Sequence, residues 1–364
     1  MLESRVAPSP NVYRADIDGI RAVAVLMVVL FHARLSWAKG GYLGVDVFLV
    51  ISGYLIIGHL AQEASRTGTI ALANFWARRA RRLIPAATLV IITTLIVSVL
   101  VSTPTEFADH AKSARSAAIY MTNFLFLGYG SDYFRANADA DPFLHTWSLS
   151  LEEQFYLVIA PTVFAITWLF ARGRSGAPAP GVHSAPSRRV FVKAFGAVTF
   201  VSYALYVYTS RREPMRAFYM LTPRAWEFSA GGLAALAPHA LSTLSESVKR
   251  WLGWMALTAL VATMLLLEFT GRATYLIALV PVIATVVLLA VGEGSGGGGG
   301  ASWCAAGALS APNTIPRPRV VLVVSLALAD CVALGLAASA ESIAGGSGHA
   351  CRFADARSSV LPMG

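Results

Sequence analysis

Apolar residues run through this chain in long blocks separated by short polar islands. An α-helix needs about 17–25 predominantly apolar residues to cross the hydrocarbon core of a bilayer. Blocks of that size fall at 17–37, 42–61, 83–103, 151–171, 190–209, 223–238, 251–268, 274–292 and 319–340. A shorter run at 115–128 is either a further crossing or a re-entrant or lateral segment. The pattern predicts an all-α fold, a polytopic transmembrane bundle of about 9–10 helices. It divides the chain into a tail over 1–12, a transmembrane domain over 13–292, and a Gly-rich segment with an atypical tail over 293–364.

Composition agrees. Of 364 residues, 56% are hydrophobic and 13% charged, with mean hydropathy +0.60, which excludes an ordinary soluble globule. The net charge of +9 comes from basic residues in loops flanking the spans. That is the positive-inside pattern, and it points to a lipid bilayer as partner and not to nucleic acid. The residues before the first span lack a basic n-region and a small-residue cleavage site, so that span is expected to be retained as an anchor. Cys304, Cys331 and Cys351 lack metal or redox spacing, so neither a disulfide framework nor a metal site is expected.

The polar islands carry the candidate chemistry, because ionisable groups in membrane helices cost several kcal/mol and mark function by default. The first span opens YRADIDGIRAVAVLMVVLFH from Tyr13. Its Arg21 and His32 are separated by three helical turns and a small remainder, so both point to one face about 16 Å apart along the axis. The second span, rich in Gly41, Gly44, Ser52, Gly53 and Gly58, is suited to close helix approach, and it carries one carboxylate, Asp46. If the two spans form an antiparallel hairpin with His32 about five residues inside its helix, Asp46 reaches a similar depth and a His32–Asp46 pair is expected.

Four arginines occupy positions 78, 79, 81 and 82 in FWARRARRLIP. They set this end of the third span, and the N-terminus with it, on the cytoplasmic side. They are read either as a topology anchor on anionic lipid or as a phosphate site, with Arg79 and Arg82 on one helical face. The acidic, aromatic segment 129–150 is expected outside and the basic linker 172–189 inside, which requires 115–128 not to cross. The island HTWSLSLEEQFY holds His145, Trp147 and adjacent Glu152 and Glu153. Consecutive helical residues diverge by about 100°, so one carboxylate can face solvent while the other turns inward. In RAWEFSAGG, Arg224 and Glu227 form an i, i+3 pair able to neutralise itself.

With these islands in order, the chain resembles the acyltransferase family 3 integral-membrane proteins of the O-antigen and polysaccharide O-acetylase type. The resemblance rests on YRADIDGIRAVAVLMVVLFH, GGYLGVDVFLVISGYLI, FWARRARRLIP, HTWSLSLEEQFYL and RAWEFSAGG. It implies a bundle of about ten helices using cytoplasmic acyl-CoA, usually acetyl-CoA, as co-substrate, with no bound cofactor. The acceptor it implies is a hydroxyl of an extracytoplasmic or lipid-linked glycan, such as lipopolysaccharide, and the location a bacterial inner membrane. On this resemblance His32, Arg21, Asp46, Glu152 and Glu153 are the catalytic candidates. Arg14, Arg78, Arg79 and Arg82 are candidates for the coenzyme A phosphates, and His145, Trp147, Arg224 and Glu227 for the acceptor. Histidine titrates near neutral pH and suits a general base, or a group that carries the acyl covalently.

The tail departs from the family. After the run GSGGGGG at 294–300, Phe353 is the single aromatic residue beyond Trp303. The family's final aromatic helix finds no counterpart in this stretch, and the extracytoplasmic hydrolase-like domain fused to some members is not expected here. A reading-frame change, a truncation and a divergent genuine terminus all fit. Intramembrane Asp, Arg and His also suit a transporter or flippase of acyl or glycan groups, and the altered tail suits an inactive family member.

Overall fold

The computed structural model describes residues 14–129, 141–172, 186–237, 241, 243–267 and 274–293; the Gly-rich segment, the three cysteines and the run at 319–340 lie outside them. The described residues are 86% helical and hold no strand. The chain is an integral membrane protein. Among the described residues, five helical segments are long and apolar enough to cross a bilayer: Lys39–Thr67, Leu72–Val101, Thr146–Arg172, Arg188–Arg212 and Tyr275–Gly292.

The helices are α1 (Ala15–His32), α2 (Gly44–Thr67), α3 (Leu72–Val101), α4 (Pro104–Ala118), α5 (Thr122–Gly128), α6 (Thr146–Arg172), α7 (Arg188–Arg212), α8 (Pro214–Tyr219), α9 (Leu221–Leu236), α10 (Glu246–Leu266), α11 (Thr274–Ile277) and α12 (Leu279–Glu293). A 3₁₀ turn, Lys39–Leu43, precedes α2. The helix ends follow local chemistry. α2 stops at Gly68, whose φ of 71° only glycine adopts without strain and whose N–H bonds back to the Ala64 carbonyl. α4 starts from a capping box between Thr103 and Glu106 with Pro104 in its first turn.

The described residues fall into two compact units, with boundaries inside α3 and α6: one holds 14–75 and 152–293, the other Trp76–Leu151. In the first, α2 packs on α9, α9 on α7, α10 on α12, and α1 on α2. Small residues set these approaches. A Cβ added at Gly53 would lie 1.9 Å from the Phe228 carbonyl oxygen, and one at Gly231 would lie 1.9 Å from that of Val50. α2 and α9 therefore interlock backbone to backbone, as small residues allow in membranes. Ile17, Ile20 and Ala24 of α1 join Val47, Val50 and Ile51 of α2 and Leu288 and Leu289 of α12 in one core. Arg14, just before α1, donates to the Leu289 carbonyl at 3.0 Å. The start of α1 and the end of α12 therefore share one end of this unit.

In the second unit, Ile91 and Leu95 of α3 pack on Ala114, Ala117 and Phe143. The run at 115–128 is divided between α4 and α5, broken at Ile119–Met121 where Tyr120 has φ 54°. Fifteen and seven residues reach only about 22 and 10 Å, short of the hydrocarbon core. α3 exposes Ile84, Leu89, Ile92, Ile96 and Leu100, a face suited to lipid.

Candidate functional site

α1 is unbroken from Ala15 to His32, so Arg21 and His32 share a face, about 20° apart around the axis. Both are half-buried, beside the stripe Ile17, Ile20, Ala24 and Met27 that α1 buries. Arg21 lies 3.4 Å from Asp18. His32 Nδ1 is 2.8 Å from the Val28 carbonyl oxygen. A carbonyl can only accept, so Nδ1 carries the hydrogen and the neutral ring has its lone pair on Nε2. An imidazole held in that tautomer can act as a base through Nε2.

The structure does not form the expected His32–Asp46 pair. Asp46 Oδ1 instead accepts from Arg224 Nη1, which also donates to Glu227 Oε1 at 2.9 Å. Two features of the connection explain the difference. His32 is the last residue of α1, not one five positions inside it. Gly44 packs beside Ala24, Met27 and Val28, which puts Asp46 about 12 Å below His32 along the helix axis. A backbone carbonyl, that of Val28, is among the partners of His32.

Asp46, Arg224 and Glu227 are 2%, 3% and 0% exposed. Their guanidinium lies 5.7 Å from the Tyr206 ring centroid and 5.3 Å from that of Phe218. Asp46 Oδ2 and Glu227 Oε2 take no hydrogen bond among the described residues. The i, i+3 neutralisation of Arg224 by Glu227 is present, with Asp46 added from α2. Closed to solvent, the three join α2 to α9, so the acceptor-binding expectation for Arg224 and Glu227 and the catalytic one for Asp46 meet a buried structural cluster.

Arg14 is also engaged within the fold. Nε and Nη2 bond Asp16, Nη1 donates to Tyr54 Oη at 2.7 Å, and Nη2 reaches Leu289. An anion would have to displace these contacts. In the second unit, Arg78 and Arg82 are exposed one turn apart on α3, Arg81 Nε donates to Ala77, and Arg79 is half-buried. The unbroken helix keeps Arg79 and Arg82 on one face. His145 is half-buried, and Trp147 is fully buried within the core, which leaves the indole no face for an acceptor.

Of the two adjacent glutamates, Glu152 is fixed. Ser52 Oγ from α2 and Tyr156 Oη from α6 both donate to its Oε1. Glu153 is half-buried on the neighbouring direction of α6. Sequence reasoning named Glu152 but missed both hydroxyls. Tyr156 stands at i+4 from Glu152, a spacing that signals contact on a helix; Ser52 belongs to another helix and carried no such signal. Among the described residues no cluster of three or more His, Cys, Asp or Glu is placed to hold a metal.

Comparison with known proteins bears on this geometry. The family described as an acyltransferase domain matches residues 14–305. O-acetyltransferase OatA of Staphylococcus aureus is 42% identical over 160 residues, 44% of this chain and 26% of that protein. Peptidoglycan O-acetyltransferase OatA of Listeria monocytogenes is 40% identical over 146 residues, 40% of this chain and 23% of that protein. The chain thus spans about a quarter of the length of these curated relatives. No solved structure matches.

Proposed function

Because the chain belongs to the acyltransferase domain family, we propose that it is a membrane O-acyltransferase. It moves an acetyl group from acetyl-CoA to a glycan hydroxyl, with its N-terminus cytoplasmic in a bacterial inner membrane. The single observation that carries the reading is the tautomer of His32, with Nδ1 tied to Val28 and the lone pair on Nε2. The acceptor hydroxyl oxygen attacks the thioester carbonyl while Nε2 takes its proton. Collapse of the tetrahedral intermediate breaks the C–S bond, and the proton passes from Nε2 to the leaving thiolate. The Val28 carbonyl supports the imidazolium formed between the two steps, as a hydrogen-bond acceptor on the far nitrogen does in other histidine bases. Arg21, about 16 Å along the same face, offers a cation for the donor's phosphates. The exposed arginines of α3 are an anion site to be tested by themselves. The naming of a relative as a peptidoglycan O-acetyltransferase makes peptidoglycan the first acceptor to try.

The experiment supplies labelled acetyl-CoA to membranes that lack related transferases and follows label into glycan and lipid fractions. Label that appears with the native chain and disappears with His32→Ala supports the reading. A stable, abundant chain that transfers no label overturns it and favours transport.

A further inference from the structure

Glu152 is held in an unusual way. Its Oε1 accepts two hydroxyls from two different helices, Ser52 of α2 and Tyr156 of α6. Both hydroxyl-bearing residues are buried, while Glu152 itself is half-exposed. Its Oε2 is not among the buried polar atoms and takes no hydrogen bond from any described residue. The turn of α6 that carries the carboxylate is itself immobilised, because Phe155 stacks on Phe228 of α9 with ring centroids 4.0 Å apart and planes within 12°. One oxygen is thus doubly anchored on a rigid turn and the other is presented outward.

Two hydroxyl donors on Oε1, from two helices, remove the rotamer freedom that a glutamate otherwise keeps, so Oε2 is aimed. A carboxylate oxygen fixed in this way is placed to accept an O–H. We infer that Glu152 Oε2 is a subsite for a hydroxyl of the glycan acceptor, and that Ser52 and Tyr156 are the residues that position it. The subsite rests on the acyltransferase reading for its substrate class, but its geometry lies in the Ser52–Glu152–Tyr156 contacts and not in His32.

The test measures initial rates with labelled acetyl-CoA and soluble peptidoglycan oligosaccharides, together with the thermal shift those oligosaccharides produce in the purified chain. Ser52→Ala and Tyr156→Phe are expected to raise the acceptor KM about tenfold, as loss of a charge-assisted hydrogen bond does, with the KM for acetyl-CoA unchanged. Ser52→Thr restores the acceptor KM. In a Glu152→Gln background the Ser52 and Tyr156 substitutions have little further effect, since they act through the group already altered. A merely structural role predicts additive losses that track the melting temperature and move both KM values together, and that result overturns the inference. If the native chain transfers no acetyl group, the oligosaccharide thermal shift still decides: a shift weakened in Ser52→Ala, Tyr156→Phe and Glu152→Gln keeps the subsite while the reaction reading falls. An absent shift, or one that the variants leave unchanged, removes the subsite.

Discussion

Two polar places in the same bundle, the Arg21–His32 face of α1 and the Asp46–Arg224–Glu227 cluster between α2 and α9, look alike along the chain. Each sets ionisable residues in an apolar run where they cost free energy. In three dimensions they differ. The cluster is sealed, its guanidinium bridging two carboxylates from different helices. The α1 face is half-open, and its imidazole bonds through Nδ1 to a carbonyl of its own helix. A polar group that binds elements together is buried with its partners, whereas one that meets substrate keeps a face toward the outside. Intramembrane charge therefore locates importance, and burial with partner identity separates its two kinds.

Substitutions can sharpen or break that contrast. The largest effect is expected at the open place: His32→Ala lowers acetyl transfer about 10²–10⁴-fold, the usual contribution of a general base, with the melting temperature nearly unchanged. Loss of the folded chain in that variant would erase the distinction. At the sealed place, Arg224→Met leaves two carboxylates buried without their cation and is expected to destabilise the first unit by about 3–5 kcal/mol, read from denaturation in detergent. An Arg224→Met chain as stable as the native one, but inactive, would move the cluster into the chemistry.

Smaller effects probe the packing that closes the cluster. Gly53→Ala would drive a methyl into the Phe228 carbonyl and is expected to cost about 1–3 kcal/mol. Gly19→Ala on α1 meets nothing within 4 Å and is expected to gain about 0.5–1 kcal/mol from helix propensity. Equal effects at the two glycines would contradict the α2–α9 interlock.

The smallest effect lies in the second unit. Burial raises the carboxyl of Asp141 above its ordinary range, opposed by the Ser113 hydroxyl and the Phe143 N–H that it accepts. Because the folded value is the higher one, this group's contribution is full below the unfolded value of about 3.9 and is lost as pH rises through the folded value. Asp141→Asn should flatten that slope, measured as melting temperature against pH. A slope unchanged by the substitution would refute the assignment.

Much of the fold was legible in the chain. Apolar blocks placed α2, α3, α6 and α7 to within a turn or two at most ends, because span length is dictated by the bilayer and not by neighbours. α3 began earlier than its apolar block, because FWARRARRLIP is helical as well as basic. The loop charges asked for a run at 115–128 that is re-entrant or lateral, and the structure divides that run between two short helices. The site was legible as residue types but not as partners. Helix periodicity gave the Arg21–His32 face and the Arg224–Glu227 pair, both set within one helix. It failed for His32–Asp46, where the 3₁₀ turn at Lys39–Leu43 and the approach of Gly44 to α1 set the depth.

The sequence by itself determined that this is a helical membrane protein, which residues on one helix share a face, and which family it belongs to, since each follows from apolar length, helical period or motif order. Tertiary structure alone decided that Asp46 meets Arg224, that Glu152 is held by Ser52 and Tyr156, and that the His32 tautomer is fixed by the Val28 carbonyl. Pairing across helices depends on crossing points, and those are set by where glycines let two backbones touch.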